Sequence, residues 1–399
     1  MSLIAWLDSS AHDERLMREL VHRFTEPGTL DELGLGRIRD ALSDTLFPGS
    51  STQHTRARYF LFLPWIYHDA ARNNSGTELL AKAQQAERRL ILAMKTAGAT
   101  EGLIGRAGGQ TLPSQLYWTA LRRYRILRVA SAPNQLHQIG SVTGHSGIDE
   151  EALPAEWAIS IGGPADFPKV VENGFDLTHD EAEWLRDRIV TSTRGSYLSV
   201  LLTDATPLPA PAASPWQHPA LADAPEPVQD TVEHARLFSL VMNGAGLLYN
   251  LLVAELYEGA DLHAVNEPIA RYRERLDGWS ARITDQSKSI VDWDVGGFWD
   301  TVNSARTTPI TGAVRTFVDD WVTAMKDTGA DGASDDNTLR GLVADRERYN
   351  KNQHSRLRNP RLVASWNGAS GSEPFDFRWP QVSRIVADIV QGLTDDAGA

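Results

Sequence analysis

Two stretches of the chain concentrate positive charge in a form suited to holding phosphate. From Gly102 to Ile148 there is no Asp or Glu, while Arg106, Arg122, Arg123, Arg125 and Arg128 fall within it. From Arg346 to Arg361, the basic residues Arg346, Arg348, Lys351, Arg356, Arg358 and Arg361 stand against Glu347 alone. Guanidinium forks pair with phosphate through two parallel hydrogen bonds. Gln115 and Trp118 add a hydrogen-bonding amide and a stacking ring, and Asn350, Asn352, Gln353 and Asn359 interleave the second stretch. Basic islands with polar and aromatic interleaving are the electrostatic footprint of DNA or RNA binding. Three other readings stay open: a solvated basic face, a protein-partner surface, or an internal salt-bridge network serving the surplus carboxylates.

Other chemistry is more thinly supported. Gln286-Ser287-Lys288 matches a loose form of a nuclease signature, in which a lysine would stand beside a metal-bound water. Asp292, Asp294 and Asp300 flank Trp293 and Trp299 and could form a carboxylate site. These residues would carry a metal-dependent nuclease or hydrolase. Their plainer reading is an exposed turn and acidic surface beside buried tryptophans. Gly244-Ala245-Gly246 resembles part of a dinucleotide fingerprint, but Tyr249 stands where the third glycine belongs. Close approach of another segment to a helix explains that pair better.

Composition excludes more than it assigns. With 399 residues, 42% hydrophobic and 23% charged, the chain is long enough for two or three globular domains. It has no cysteine, so disulfides, thiolate metal sites and a Cys nucleophile are ruled out. The net charge of −13 confines any nucleic-acid contact to local patches. There is no phosphate-binding G-x-x-x-x-G-K-[ST] loop, no H-E-x-x-H and no G-x-S-x-G. No metal or cofactor is expected. The opening residues do not form a signal peptide, because Asp8 follows the apolar Met1–Trp6 run directly. Leu237–Ala254 is apolar but broken by Ser239, Asn243, Gly244, Gly246 and Asn250, so it reads as a buried core helix, not a membrane span. A cytoplasmic protein is expected.

Helical elements must hold these residues. Apolar periodicity predicts helices near 9–24, 36–46, 75–97, 113–124, 178–190, 237–257, 312–325, 338–350 and from Pro380 onward. Ser75/Glu78 and Thr178/Glu181 have capping-box spacing, and Gly98 suits a left-handed C-cap. Tyr59–Tyr67, with Pro64 inside, reads as either a strand or a kinked helix. Ile126–Ala130 and Ala158–Ile161 are short strand candidates. Seven prolines between Pro207 and Pro227 make a linker or extended crossover. The fold class is therefore mainly α with minor β. The expected domains are a helical N-terminal part (1–148), a mixed connecting region with the crossover (149–228) and a helical C-terminal domain (229–399). A winged-helix arrangement would make 113–124 the recognition helix, with Ser114, Gln115, Trp118, Thr119, Arg122 and Arg123 outward.

Several strings resemble a bacterial family without an assigned activity: I-A-W-L-D-S-S (Ile4–Ser10), D-E-L-G-L-G-R-I-R-D-A (Asp31–Ala41), L-F-P-G-S-S-T (Leu46–Thr52), T-R-A-R-Y-F-L-F-L-P-W-I-Y (Thr55–Tyr67), E-G-L-I-G-R (Glu101–Arg106), L-P-S-Q-L-Y-W (Leu112–Trp118) and F-D-F-R-W (Phe375–Trp379). The resemblance covers most of the chain and brings no catalytic residues with it. It implies companionship with genes of anti-phage and DNA-defence neighbourhoods. The expectation is a defence-module component that binds nucleic acid or another module protein through its two islands. A metal-dependent hydrolase and a purely protein-binding helical scaffold are the alternatives.

Overall fold

A computed structural model describes residues 31–106, 111–128, 157–208, 210–310 and 312–395. The helix expected at 9–24 and residues 129–130 of the expected strand lie outside them. The described residues form α1 (Gly36–Leu46), α2 (Tyr59–Asn73), α3 (Gly76–Thr96), α4 (Pro113–Arg123), α5 (His179–Ser192), α6 (Tyr197–Asp204), α7 (Glu226–Gly259), α8 (Pro268–Asp285), α9 (Ser287–Val291), α10 (Val295–Ser304), α11 (Gly312–Asp327), α12 (Asn337–Lys351) and α13 (Trp379–Thr394). The fold is mainly α. Among the described residues the expected strands reduce to one antiparallel bridge, Leu127 to Trp157.

The chain divides into two compact units that interleave along the sequence. One holds Met1–Leu42 and Glu233–Phe375, and the other Ser43–Val232 and Asp376–Ala399. This differs from the three sequential segments expected from composition. The proline-rich stretch is not a free linker. It winds into single 3-10 turns at Pro215–Gln217 and Pro219–Leu221. Tyr197 Oη donates to Pro215 O at 2.9 Å, and Trp379 Nε1 donates to Ala212 O at 2.7 Å. The crossover is thus bound into the same unit as α6 and α13.

In the Ser43–Val232/Asp376–Ala399 unit, the start of α2 gathers its neighbours. Arg58 is buried. It pairs with Glu181 at 2.9 Å and donates to the carbonyls of Glu172 and Gly174. Glu181 also accepts from Thr178 N–H, closing the capping box that opens α5. Arg56 pairs with Asp388 of α13, whose carboxylate takes the Ala57 N–H as well. The Tyr117 hydroxyl, from α4, accepts from Thr55 and Arg56 N–H and donates to Arg56 O. Beyond this start, Tyr59–Tyr67 is helix, not strand, and Pro64 sits inside it. Phe60, Phe62 and Trp65 pack there against Tyr117, Phe167 and Phe175.

In the other unit α7 is the central helix. It is long and apolar enough to cross a membrane, yet 89% of its apolar window is buried in protein. Its glycines mark close approaches, because a Cβ at Gly244 would overlap the Trp279 ring and one at Gly246 would overlap Gly371 O. Asn243 and Asn250 donate to the carbonyls of Ser372 and Ser370, which seats the 370–372 segment on the helix. Trp279 Nε1 donates to Leu240 O at 2.8 Å. Gly244→Ala is expected to cost about 3 kcal/mol, because the buried indole has nowhere to move. Thermal denaturation of the purified variant measures this.

Glu87 is a fully buried carboxylate between α2, α3 and α4. It accepts from Ser114 N–H at 2.9 Å, capping the start of α4 from outside that helix, and from Tyr67 Oη at 3.4 Å. Burial pushes its pKa up to about 7. The folded protein therefore holds this proton more tightly than the unfolded chain, and stability falls as pH rises from about 4.5 to about 7. Glu87→Gln keeps an acceptor for Ser114 and removes the titration. It should leave stability near pH 4 little changed and raise it above pH 7 by up to about 3 kcal/mol, read from urea melts across a pH series.

Candidate functional site

Arg122 and Arg123 of the first basic island sit where the ends of two helices meet. Arg122 and Arg123 occupy the last turn of α4, where cations meet the partial negative charge of the helix terminus. The next residue, Tyr124, is buried, and its ring lies so close to Gly49 that a Cβ there would come within 2.8 Å of it. Gly49 has φ +85°, open to glycine at little cost. Arg123 Nη1 donates to Ser192 O, the end of α5, at 2.7 Å. This brings the exposed Arg194 onto the same pair of helix ends. Arg106, Arg122, Arg123, Arg125 and Arg128 are all exposed, and among the described residues none has a carboxylate partner.

The interleaving residues differ from expectation. Trp118 is 1% exposed and packs on Tyr67 and Trp157, with ring centroids 5.1 and 5.7 Å away. It is part of the core and presents no face to a base. Ser114 is buried too, its N–H committed to Glu87. Gln115 is exposed, with its Oε1 accepting the Leu112 N–H at the start of α4. A recognition helix needs these side chains outward. The apolar period of α4 turns Ser114 and Trp118 inward instead, towards α3 and α2, and the winged-helix arrangement gains no support.

The second island is largely internal. Arg346 is 8% exposed, donates through Nε to Leu33 O at 2.7 Å, and lies over the rings of Phe317 and Tyr349. Lys351 and Arg356 both pair with the buried Glu32, at 2.9 and 2.6 Å. Arg356 also donates to Tyr249 Oη, and its backbone N–H donates to the buried Glu347. Burial raises the Glu347 pKa, opposed by hydrogen bonds from Ser355 and Arg356. Arg348 pairs with Asp345. Only Arg358 and Arg361 face solvent without a carboxylate partner among the described residues. For Arg346, Lys351 and Arg356 the internal reading of this island holds, and the exposure expected of Arg356 does not. They anchor residues 31–35, distant in sequence, to the end of α12.

Of the residues behind the carboxylate and Q-x-K readings, Asp294 and Gln286 have structural contacts. Asp294 caps α10 by accepting the Gly297 N–H. Gln286 accepts from Arg236, and Trp293 Nε1 donates to His234. Among the described residues no group of three or more His, Asp or Glu is placed to hold a metal. The described residues also line two open hollows. One of about 490 Å³ lies beside Arg56, Glu101 and Asp176. The other, of about 410 Å³, runs along Asp277, Ser280 and Asp331.

The sequence reading passed over the outward face of α3. Lys82, Arg88, Arg89 and Lys95 are all exposed there. The signal was available: between Arg56 and Arg128 twelve basic residues stand against four acidic ones. Bounding the island by its lack of acids stopped it at Glu101 and left α3 out of it.

A family model described as "Family of unknown function (DUF6361)" matches residues 1–393. The chain belongs to that family. No curated protein matches it. No solved structure matches it either.

The contrast between the islands is measurable as stability. Arg356→Met removes one of the two cations paired with the buried Glu32, together with its bond to Tyr249, and is expected to cost about 2 kcal/mol. Arg358→Gln, at an exposed site, should stay within about 0.5 kcal/mol of wild type. Chemical denaturation of the two variants side by side checks this.

Proposed function

We propose that this family member is a cytoplasmic component of a bacterial defence module that binds the phosphate backbone of nucleic acid. The contact surface is the set of exposed arginines at the C-terminal ends of α4 and α5. The observation that carries this reading is that Arg106, Arg122, Arg123, Arg125 and Arg128 are exposed and, among the described residues, have no carboxylate partner, in a chain of net charge −13. Carboxylates are abundant enough to neutralise them, as Glu32 and Asp345 do for the second island. Five exposed cations on one stretch, with no carboxylate partner among the described residues, favour an external polyanion. With Trp118 buried, the surface lacks that ring for base stacking, so the binding it supports is to backbone, with little preference for sequence.

Neutralising Z phosphates on duplex DNA makes the logarithm of affinity fall with the logarithm of salt at a slope of about −0.9Z. Replacing Arg122, Arg123 and Arg125 together with Gln should flatten that slope by up to about three and leave the melting temperature unchanged. Fluorescence anisotropy with single- and double-stranded DNA and RNA over a salt series is the measurement. Absence of wild-type binding at low salt, or a triple variant that binds like wild type, sinks the reading and favours the protein-binding scaffold.

A further inference from the structure

We infer that the outward face of α3 is a second docking face, for the backbone of duplex nucleic acid, sharing no residue with the arginines at the ends of α4 and α5. The helix presents Lys82, Arg88, Arg89 and Lys95 to solvent, with Gln85 exposed between them. None of the four cations has a salt-bridge partner among the described residues. The only exposed acid on α3 is Glu78, in its first turn, where a carboxylate complements the helix dipole. Glu87, the other acid of the helix, is turned fully inward and contributes no surface charge to this face.

Length and spacing suit a duplex. At about 1.5 Å per residue the row from Lys82 to Lys95 is about 20 Å long. That exceeds the roughly 12 Å width of a major groove, so the ends of the row can reach the two backbones that border it. The cations come in three steps along the helix, at Lys82, at Arg88 and Arg89, and at Lys95, so they meet phosphates at several points of that span. Glutamine between them offers a neutral donor to phosphate or sugar oxygen.

A basic amphipathic helix also suits an anionic membrane surface, which requires its apolar face to enter the lipid boundary. On α3 that face is spent. Ala83, Leu90 and Met94 are buried, and the helix packs along α2. Leu92, 65% exposed, is the one large apolar side chain of α3 standing well out from the surface. A single leucine among four cations fits a polar backbone better than a bilayer.

The test uses the full chain and a 20-base-pair duplex (about two helical turns). The variant K82Q/R88Q/R89Q/K95Q is compared with wild type and with R122Q/R123Q/R125Q by anisotropy over a salt series. The expected result is at least a ten-fold loss of affinity at low salt and a slope shallower by up to about 3.6, with an unchanged melting curve. A variant with Lys82→Arg and Lys95→Arg, which keeps the charge, should bind as wild type does. If the α3 variant binds like wild type while R122Q/R123Q/R125Q loses binding, this inference fails and the preceding reading stands. If the reverse holds, the α3 face stands and the preceding reading fails. No duplex binding by wild type overturns both. Wild-type binding to phosphatidylserine vesicles in place of duplex, lost in the α3 variant, overturns the inference in favour of a membrane.

Discussion

Arg56 and Arg58 form the constraint on which much of their unit depends. Two guanidinium groups flank one alanine at the start of α2, and each is claimed by a carboxylate from a different helix, Asp388 of α13 and Glu181 of α5. Buried ion pairs contribute little net stability against an apolar alternative, but they penalise every arrangement that leaves one partner alone. Here the penalty acts on packing partners far apart in sequence. Asp388 serves Arg56 and the Ala57 N–H together, and Glu181 serves Arg58 and its own helix cap together. Moving any one of these helices would strand several polar groups at once. Tyr117 adds α4 to the same junction through backbone hydrogen bonds on either side of Arg56.

The basic surfaces follow from this rigidity. α4 is fixed at its start by Glu87, in the middle by Tyr117, and beyond its end by Tyr124. Once those inward positions are committed, the period of the helix leaves Arg122 and Arg123 outward. α3 is committed in the same manner through Glu87, Leu90 and Met94. The cations are thus carried on elements whose orientation is set by the core. In the other unit the same residue types do the opposite work, and Arg356 and Lys351 are consumed in holding Glu32.

Much of the helical framework was legible in the sequence. α1, α4, the α5 capping box and the left-handed Gly98 appear where periodicity and capping chemistry put them. Gly244 and Gly246 prove to be close approaches, as their helical surroundings suggested. α8 was missed although Tyr272, Leu276, Trp279 and Ile283 stand at i, i+4, i+7 and i+11, the period of one helical face. The candidate site was less legible, for a different reason. Charge counted along a chain does not distinguish an arginine whose carboxylate partner is three hundred residues away from one with none. Arg356 and Arg358 are two residues apart in the same island, yet one is paired with Glu32 and the other faces solvent. Trp118 failed likewise, since an aromatic ring at a helical position satisfies a core and a stacking surface equally well until its neighbours are known.

The pairing of Glu32 with Arg356 has a consequence for the chain as it is made. The two residues are 324 positions apart. At ribosomal rates of about 5–20 residues per second, roughly 16 to 65 seconds separate their synthesis. Throughout that interval Glu32 lacks the cations that hold it, while residues of the other unit, from Ser43 onward, have already emerged. The earliest part of this unit must therefore wait on the ribosome for nearly the last, and a nascent chain released short of residue 356 would leave an acidic N-terminal segment with its anchor missing.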